Sequence, residues 1–408
     1  MINFDLLKKL SFHFLAFICC ALCLKKPVFA NVVLEKYPHL DQAQYYFLID
    51  ADIKEVLLSK NSNTSLAPSS MTKLMTAYVV FDLIKKGSIN LSSQCLIGKD
   101  AWKKSGSSMF LNYGDIVSIE DLVKGLLAVS GNDAAIALAE STAGGYDKFI
   151  ELMNKKAKEL GMYSSSFKNP HGLNQQGHYM TLKDIATLTA RLYSDFPEYK
   201  SFLHIEEFTY RNITQRNRNP LISKHYDGIL GGKTGYTGDG GYGLTAIVKR
   251  QNRKLVAVVN KAPKPKIREQ IIIDLFDYGF NEYKKISIFQ KGQILAKVDV
   301  WLGEKAKVRA VLGQNIAFTI PKDQDLNSIE AFVKINNPAV APVKKNQKIG
   351  ELILKLKDGQ KYQFDLFSHE NIEKVGFIRK IKFLLQYKIN NFLTNNFLGK
   401  STMGLLHH

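Results

Sequence analysis

The sequence predicts an α/β domain, then a small all-β domain, then a terminal amphipathic helix. Three observations carry this reading. Between residue 31 and about residue 262, apolar residues at helical spacing alternate with strand signals. Beyond Tyr278 the apolar residues repeat with period two. From Phe377 they return to helical spacing, now beside a row of basic residues. The 408 residues exceed one typical domain, and 45% apolar content with 11% aromatics can bury two cores.

Residues 1–30 stand apart. Lys8 and Lys9 precede an apolar stretch, Leu10 to Leu24, and Val28-Phe29-Ala30 places small residues where signal peptidase reads. This predicts a secretory signal peptide cleaved after Ala30, the apolar stretch being short for a spanning helix. Lys25 and Lys26 follow the apolar run and leave an uncleaved anchor as the alternative. Cys19, Cys20 and Cys23 depart with the signal, so Cys95 remains alone and the exported chain has no internal disulfide. Removing residues 1–30 takes four Lys and one Asp from the 56 basic and 37 acidic residues, leaving +16. That surplus fits anionic lipid or wall polymer, or a generally basic surface with no partner; export argues against nucleic acid.

Tyr45 to Ile49 and Lys54 to Ser59 predict a hairpin around the Asp50-Ala51-Asp52 turn. A helix is expected from Ser70, with Met71, Leu74, Met75, Tyr78 and Val79 on its apolar face. Ser118 with Asp121 resembles a capping box opening a helix through Val129. Another helix is expected over Asp133–Ser141, and Thr181 with Asp184 opens one over Leu182–Tyr193. Strand signals follow at Ile229, Tyr242–Val248 and Lys254–Val259, closing a catalytic domain over 31–265. Residues 266–284 read as a linker helix, apolar from Ile267 to Tyr278.

Period-two alternation at Val298, Val300 and Leu302, at Leu352, Leu354 and Leu356, and at Tyr362, Phe364 and Leu366 predicts a β-sandwich over 285–370. Asn336-Asn337-Pro338 and Asp358-Gly359 supply its turns. In the tail, 375–400, Phe377, Ile378, Ile381, Leu384 and Leu385 begin an apolar stripe flanked by Arg379, Lys380, Lys382 and Lys388. Such a helix either lies in a membrane interface or packs on the β-domain; its lysines and terminal position favour the membrane.

Three motifs occur in order: Ser70-Met71-Thr72-Lys73, Ser130-Gly131-Asn132 and Lys233-Thr234-Gly235. Each alone is weak, since a chain this long holds about two S-x-x-K matches by chance. Together they sit where chemistry needs them: Ser70 opening a helix after Pro68, Ser130 between two helices, Lys233 entering a strand. Residues three apart share a helical face, so the Lys73 amine can reach the Ser70 hydroxyl. Serine needs a base, and lysine serves as one when desolvation and nearby cations, here Lys233, lower its pKa. Ser130 can relay a proton to a leaving amine, Asn132 can hold Lys73 and a substrate amide, and Lys233 with Thr234 can bind a free carboxylate.

This combination resembles the serine penicillin-recognising family, and most of all its low-molecular-mass D-alanyl-D-alanine carboxypeptidases, similar to penicillin-binding protein 5. The likeness extends through Ala67 to Thr76, Ser130 to Ala135, Asn169-Pro170-His171-Gly172-Leu173, and Asp227-Gly228 ahead of Lys233-Thr234-Gly235-Tyr236-Thr237. The resemblance implies an antiparallel sheet flanked by helices, a β-rich second domain and an amphipathic anchor. By it Ser70 is the nucleophile, Lys73 the base and Ser130 the proton shuttle. The backbone N–H groups of Ser70 and Tyr236 would form the oxyanion hole. Asn132, Lys233, Thr234, Gly235, Tyr236, Arg218 and Arg268 would bind substrate. Ile267 stands where the family more often has a small residue before this arginine.

His171 reads as a structural loop histidine, because a complete Ser/Lys set exists elsewhere. The nine histidines show no H-x-x-E-H spacing and the cysteines no C-x-x-C spacing in the exported chain, so no catalytic metal and no cofactor are expected. Class A β-lactamases carry an acid in an E-x-x-L-N stretch; Leu173-Asn174 are present here, but Pro170 occupies the acid's position. Slow release of penicillin is therefore expected, and with it inhibition. The expected activity is removal of the terminal D-alanine from peptidoglycan stem peptides, at the outer face of the cytoplasmic membrane or in the periplasm. D,D-endopeptidase action on cross-links, a non-catalytic envelope scaffold and a lipid-surface protein are the competing readings.

Overall fold

The structure, a computed structural model, describes residues 34–376 except 239, 325–328, 336–337, 357–358 and 360, together with Ile381, Leu385 and Lys388. The expected signal peptide, most of the tail and most of the two β-domain turns lie outside these residues. Two compact units divide between Lys284 and Lys285.

The first unit is built on five antiparallel strands in the order β2-β1-β9-β8-β7: β1 (Tyr45–Asp50), β2 (Glu55–Lys60), β7 (Ile229–Thr237), β8 (Gly241–Arg250) and β9 (Arg253–Ala262). Two short two-stranded sheets lie outside it, β3 (Gln94–Leu96) with β4 (Ile116–Ser118) and the hairpin of β5 (Glu207–Tyr210) with β6 (Ile213–Arg216). The first predicted hairpin forms, with Asp50 opposite Glu55 and Ile49 opposite Val56. The middles of strands β8 and β9, Leu244–Val248 and Leu255–Val259, are almost wholly apolar because both faces are covered. Ile247, Val256 and Val258 enter one core, while Leu244, Ala246, Val248, Leu255, Ala257 and Val259 enter the other.

The first core is helical. It is formed by α1 (Lys73–Lys85), the single turn α2 (Lys99–Trp102), α3 (Ile119–Leu127), α4 (Asn132–Thr142), α5 (Tyr146–Glu159) and α6 (Leu182–Asp195). The Ser118 hydroxyl accepts from the Asp121 N–H and opens α3; Thr181 does the same for α6 through the Asp184 N–H. Helix α5 was not anticipated: only Phe149, Met153 and Ala157 of its stripe are fully apolar and buried, set among lysines. After the single turn α7 (Pro220–Ser223) comes α8 (Pro265–Glu282). This helix covers the segment expected to be a linker over 266–284. Instead it buries Ile271, Ile272, Leu275 and Phe276 in the second core, so it is a layer of the first unit. Apolar residues on two adjoining faces need a partner surface, which a tether lacks.

The second unit is all β. Strands β10 (Tyr283–Phe289) and β13 (Ile316–Pro321) pair beside a six-stranded sheet ordered β14-β16-β17-β12-β11-β15. That sheet comprises β11 (Ile294–Trp301), β12 (Lys307–Leu312), β14 (Glu330–Ile335), β15 (Ala339–Val340), β16 (Lys348–Lys355) and β17 (Lys361–Ser368). Val298, Val300, Leu352, Leu354 and Leu366 share its core as their alternation predicts, while Leu302 leaves strand β11 in a left-handed turn at φ 58°. Beyond it Ile381, Leu385 and Lys388 are helical, and Ile381 and Leu385 are exposed.

What positions the site is the turn before α1. Residues Ser69–Thr72 form a 3-10 turn rather than the first turn of the helix, and Ser69 is held at φ 50°. The loop at Gly172 presses against it: a Cβ there would lie 1.9 Å from Ser69 O, and φ is already 88°. His178 braces the same turn. Its Nδ1 accepts from the Lys168 N–H at 3.1 Å, which puts the ring proton on Nε2, donated to Thr72 Oγ1 at 2.8 Å. Burial pushes the ring from 6.5 down to about 4, so it is neutral at pH 7.

Two predictions follow from these contacts. Thr181→Ala removes a cap and is expected to cost about 1 kcal/mol, a melting-point drop of roughly 2–4 °C by calorimetry. Between pH 6.5 and 4 the unfolded chain holds a proton on His178 that the folded chain refuses, so stability falls as pH is lowered through that window. Urea titrations should show His178→Gln losing less stability than wild type between those pH values; equal losses would sink this account of the bracing.

Candidate active site

The Lys73 side chain is fully buried, and its Nζ meets three oxygens: Ser70 Oγ at 3.0 Å, Asn132 Oδ1 at 2.8 Å and His171 O at 2.7 Å. The 3-10 turn brings Ser70 to the amine, α4 brings Asn132 at its first residue, and the Gly172 loop brings the carbonyl. Burial drives the Lys73 pKa well down, Lys233 lowers it further, and the Asp133 charge opposes both. A neutral amine has two N–H donors and one lone pair. When the amine is neutral, the Asn132 and His171 carbonyl oxygens take its two donors and leave the lone pair for the Ser70 hydroxyl.

Ser130 lies between α3 and α4 at φ 67°, in the left-handed region that costs a serine about 1–3 kcal/mol. Backbone bonds hold it there, Gly131 N–H to Gly125 O at 2.9 Å and Asn132 N–H to Ser107 O at 2.7 Å. The buried Asp133 carboxylate then ties down the facing loop, accepting from Ser108 Oγ, Met109 N–H and Leu111 N–H. Asn132 completes the frame by donating to Ser105 O at 2.8 Å.

Lys233 on β7 is buried and pushed down to about 7, first by burial, then by Arg268 and Arg218. Arg268 on α8 donates to Gly243 O at 3.5 Å, and its buried Nε has no partner among the described residues. Lys233 and two arginines thus converge on one place, a potential suited to an anion. Tyr236 stacks on Tyr242 with ring centroids 4.3 Å apart. A cleft of about 750 Å³ opens above, lined by Ser70, Ser130, Arg218, Thr234, Gly235, Tyr236 and Arg268, with Lys73, Asn132 and Lys233 buried nearby.

All ten residues singled out in the sequence therefore meet at or around one cleft. Missed were Gly106, Ser107, Tyr242 and Pro265 on its wall, and the His171 carbonyl under Lys73. A main-chain oxygen has no side-chain signature to find. The His171 ring itself is structural: Nδ1 accepts from the Leu173 N–H at 3.1 Å, and burial with Lys104 and Lys73 pushes it down to about 3. Pro170, where the family's hydrolytic acid would be, offers a carbonyl that accepts from Thr76 Oγ1 at 2.6 Å. Among the described residues no group of three His, Cys, Asp or Glu is placed to hold a metal.

Comparison with known proteins agrees with this geometry. Residues 33–264 match the D-alanyl-D-alanine carboxypeptidase family model, and residues 283–374 match the C-terminal domain of penicillin-binding protein 5. The D-alanyl-D-alanine carboxypeptidase DacF of Bacillus subtilis is 36% identical over 346 residues, covering 84% of this chain and 88% of that one. DacC of Escherichia coli is 36% identical over 351 residues, covering 84% and 87%. Penicillin-binding protein 5 of Haemophilus influenzae superposes with a TM-score of 0.76 at 32% identity, covering 82% of this chain and 98% of that one. The chain belongs to the serine-type D-alanyl-D-alanine carboxypeptidases.

Proposed function

We propose that Ser70, with Lys73 as its base, removes the terminal D-alanine of peptidoglycan stem peptides through an acyl-enzyme. The observation that carries this is the buried Lys73 amine, held by Asn132 Oδ1 and the His171 carbonyl at 3.0 Å from Ser70 Oγ. Lys73 takes the Ser70 proton as Oγ attacks the carbonyl carbon of the penultimate residue. The oxyanion is received by the backbone N–H groups of Ser70 and Tyr236. Ser130 delivers its proton to the leaving nitrogen and is reprotonated by the Lys73 ammonium, the C–N bond breaks, and D-alanine departs with Lys73 neutral again. Lys233 and Thr234, with Arg218 and Arg268 behind them, hold the free carboxylate that distinguishes a chain terminus from a mid-chain peptide. Water then attacks the ester, with Lys73 again taking a proton.

A β-lactam enters the same cleft by the same attack. Its ester is released slowly, because Pro170 supplies no carboxylate to activate water where class A β-lactamases have one. Inhibition is the consequence. In this reading residues 1–30 export the chain and the tail holds it on the outer membrane face. Ile381 and Leu385 support the second point: they are helical, four residues apart on one side, and exposed, with Lys388 on the next turn.

Residues 31–408 as wild type and as Ser70→Ala, given a pentapeptide ending in D-alanyl-D-alanine and a fluorescent penicillin, test the reaction. Release of D-alanine and labelling are expected of wild type, with release falling at least about 10³-fold in the variant. Labelling without release would move the function to cross-linked peptides or a scaffold, and neither signal would refute the nucleophile. Deletion after Val375 should abolish co-sedimentation with anionic liposomes while leaving peptidase activity intact. A truncated enzyme that still sediments would end the anchor reading.

A further inference from the structure

The six-stranded sheet of the second unit ends on two very different edges. One is β15, only two residues long and followed by Ala341-Pro342. Short strands and proline are common means of keeping a sheet edge from pairing with another chain. The other edge is β14, and nothing blunts it. It pairs with β16 from Glu330 to Ile335 without a register shift, and no described strand pairs with its far side. It contains no proline, and Glu330 through Lys334 are all exposed. Phe332 is 51% exposed and its neighbour Val333 39%, so the open edge is also apolar.

The residues along this edge are complementary to themselves. Consider Ile329-Glu330-Ala331-Phe332-Val333-Lys334-Ile335 laid antiparallel against a second copy, with Phe332 opposite Phe332. Glu330 then faces Lys334, Ala331 faces Val333, and Ile329 faces Ile335, each pair occurring twice. The sheet faces agree as well. Side chains alternate along a strand, so Glu330, Phe332 and Lys334 share the face away from the core. Ala331 and Val333 stand opposite the core residues Leu354 and Leu352, and Ile329 and Ile335 pack against that core. Half-buried Ile353 lies opposite Phe332 in β16 and widens the apolar contact on both sides of the seam. The match belongs to one register. Centring the pair on Ala331 or on Val333 instead sets Phe332 against Glu330 or against Lys334.

We propose that β14 is the surface through which two copies of this chain associate, edge to edge about a two-fold axis at Phe332. Each copy presents the same segment, so the contact is isologous, and main-chain hydrogen bonds join the two six-stranded sheets into one. The two Glu330–Lys334 pairs and the Phe332 pair fix the register. Glu330 has Lys355 at 3.7 Å in its own chain, whereas Lys334 has no ion-pair partner among the described residues. A second copy supplies that partner. The symmetry of the charges is what points to a second copy, since a strand from another protein needs no charges balanced about one residue. Pairing also covers the row of open N–H and C=O groups that an unblunted edge leaves to aggregation. None of this depends on the reaction at Ser70.

The test follows the exported chain, residues 31–408, by sedimentation velocity at about 1–100 μM. Wild type should show a concentration-dependent equilibrium between monomer and dimer. Glu330→Lys and Lys334→Glu each set like charges opposite one another twice, and each should raise the dimer dissociation constant about tenfold or more. The double variant restores both pairs and should return to the wild-type constant. An equimolar mixture of the two single variants should dimerise too, because one copy then carries only lysine at these positions and the other only glutamate. That mixture also serves as the folding control, since misfolded copies would not pair. Oxidation should link Phe332→Cys copies across the two-fold axis and leave Glu330→Cys copies, roughly 14 Å apart, unlinked. A chain that stays monomeric throughout the range overturns the proposal. Dimers that survive both single variants, or that neither the double variant nor the mixture regains, place the contact elsewhere and overturn it as well.

Discussion

The first unit depends on one buried amine. Taking an ammonium out of water costs several kcal/mol, and the protein meets that cost by lowering the Lys73 pKa rather than by pairing the charge. Lys233 adds repulsion, and Asp133, which could have cancelled it, spends its oxygens on loop N–H groups and Ser108. The same desolvation that would destabilise an idle lysine here favours its neutral form, and three oxygens surround Nζ.

Holding those oxygens constrains much of the surrounding backbone. The turn carrying Ser70 is pressed from one side by Gly172 and braced from another by His178 through Thr72. Ser69 and Ser130 both sit at positive φ, strain that persists only because neighbouring segments over-determine it. Gly106 belongs to the same set, since a Cβ there would meet the Asn132 amide at 2.7 Å. Such features explain why small residues recur around the motifs: the backbones approach too closely for side chains.

The anion-binding side is built differently. Lys233 and Arg268 come from elements on the sheet, β7 and α8, and both are depressed by burial. A carboxylate arriving there restores charge balance, so binding is driven by relief of a repulsion already present in the empty cleft. Helix α8 thereby has two duties. It closes the second core with Ile271, Ile272, Leu275 and Phe276, and it delivers Arg268 to the site, which is why it cannot be a free linker.

Much of this was legible in the residues alone. Ser70 and Lys73 are three apart, so local geometry alone places them together once the chain turns; the Ser118 and Thr181 caps and the β-domain alternation are equally local. Local rules ended at Ser70, which sits in a 3-10 turn instead of opening a helix, with Gly172 and His178 pressing on that turn from about a hundred residues away. They failed also at α5, whose stripe is sparse, and at α8, whose apolar faces could not name their partner. The His171 carbonyl reaches Lys73 only when segments 98 residues apart meet. Sequence by itself determined which chemical groups the protein owns and the order of its elements, since these follow from residue type and short-range periodicity. Tertiary structure decided which of those groups lose their water and which oxygens surround them, because burial and charge proximity are properties of the packed chain.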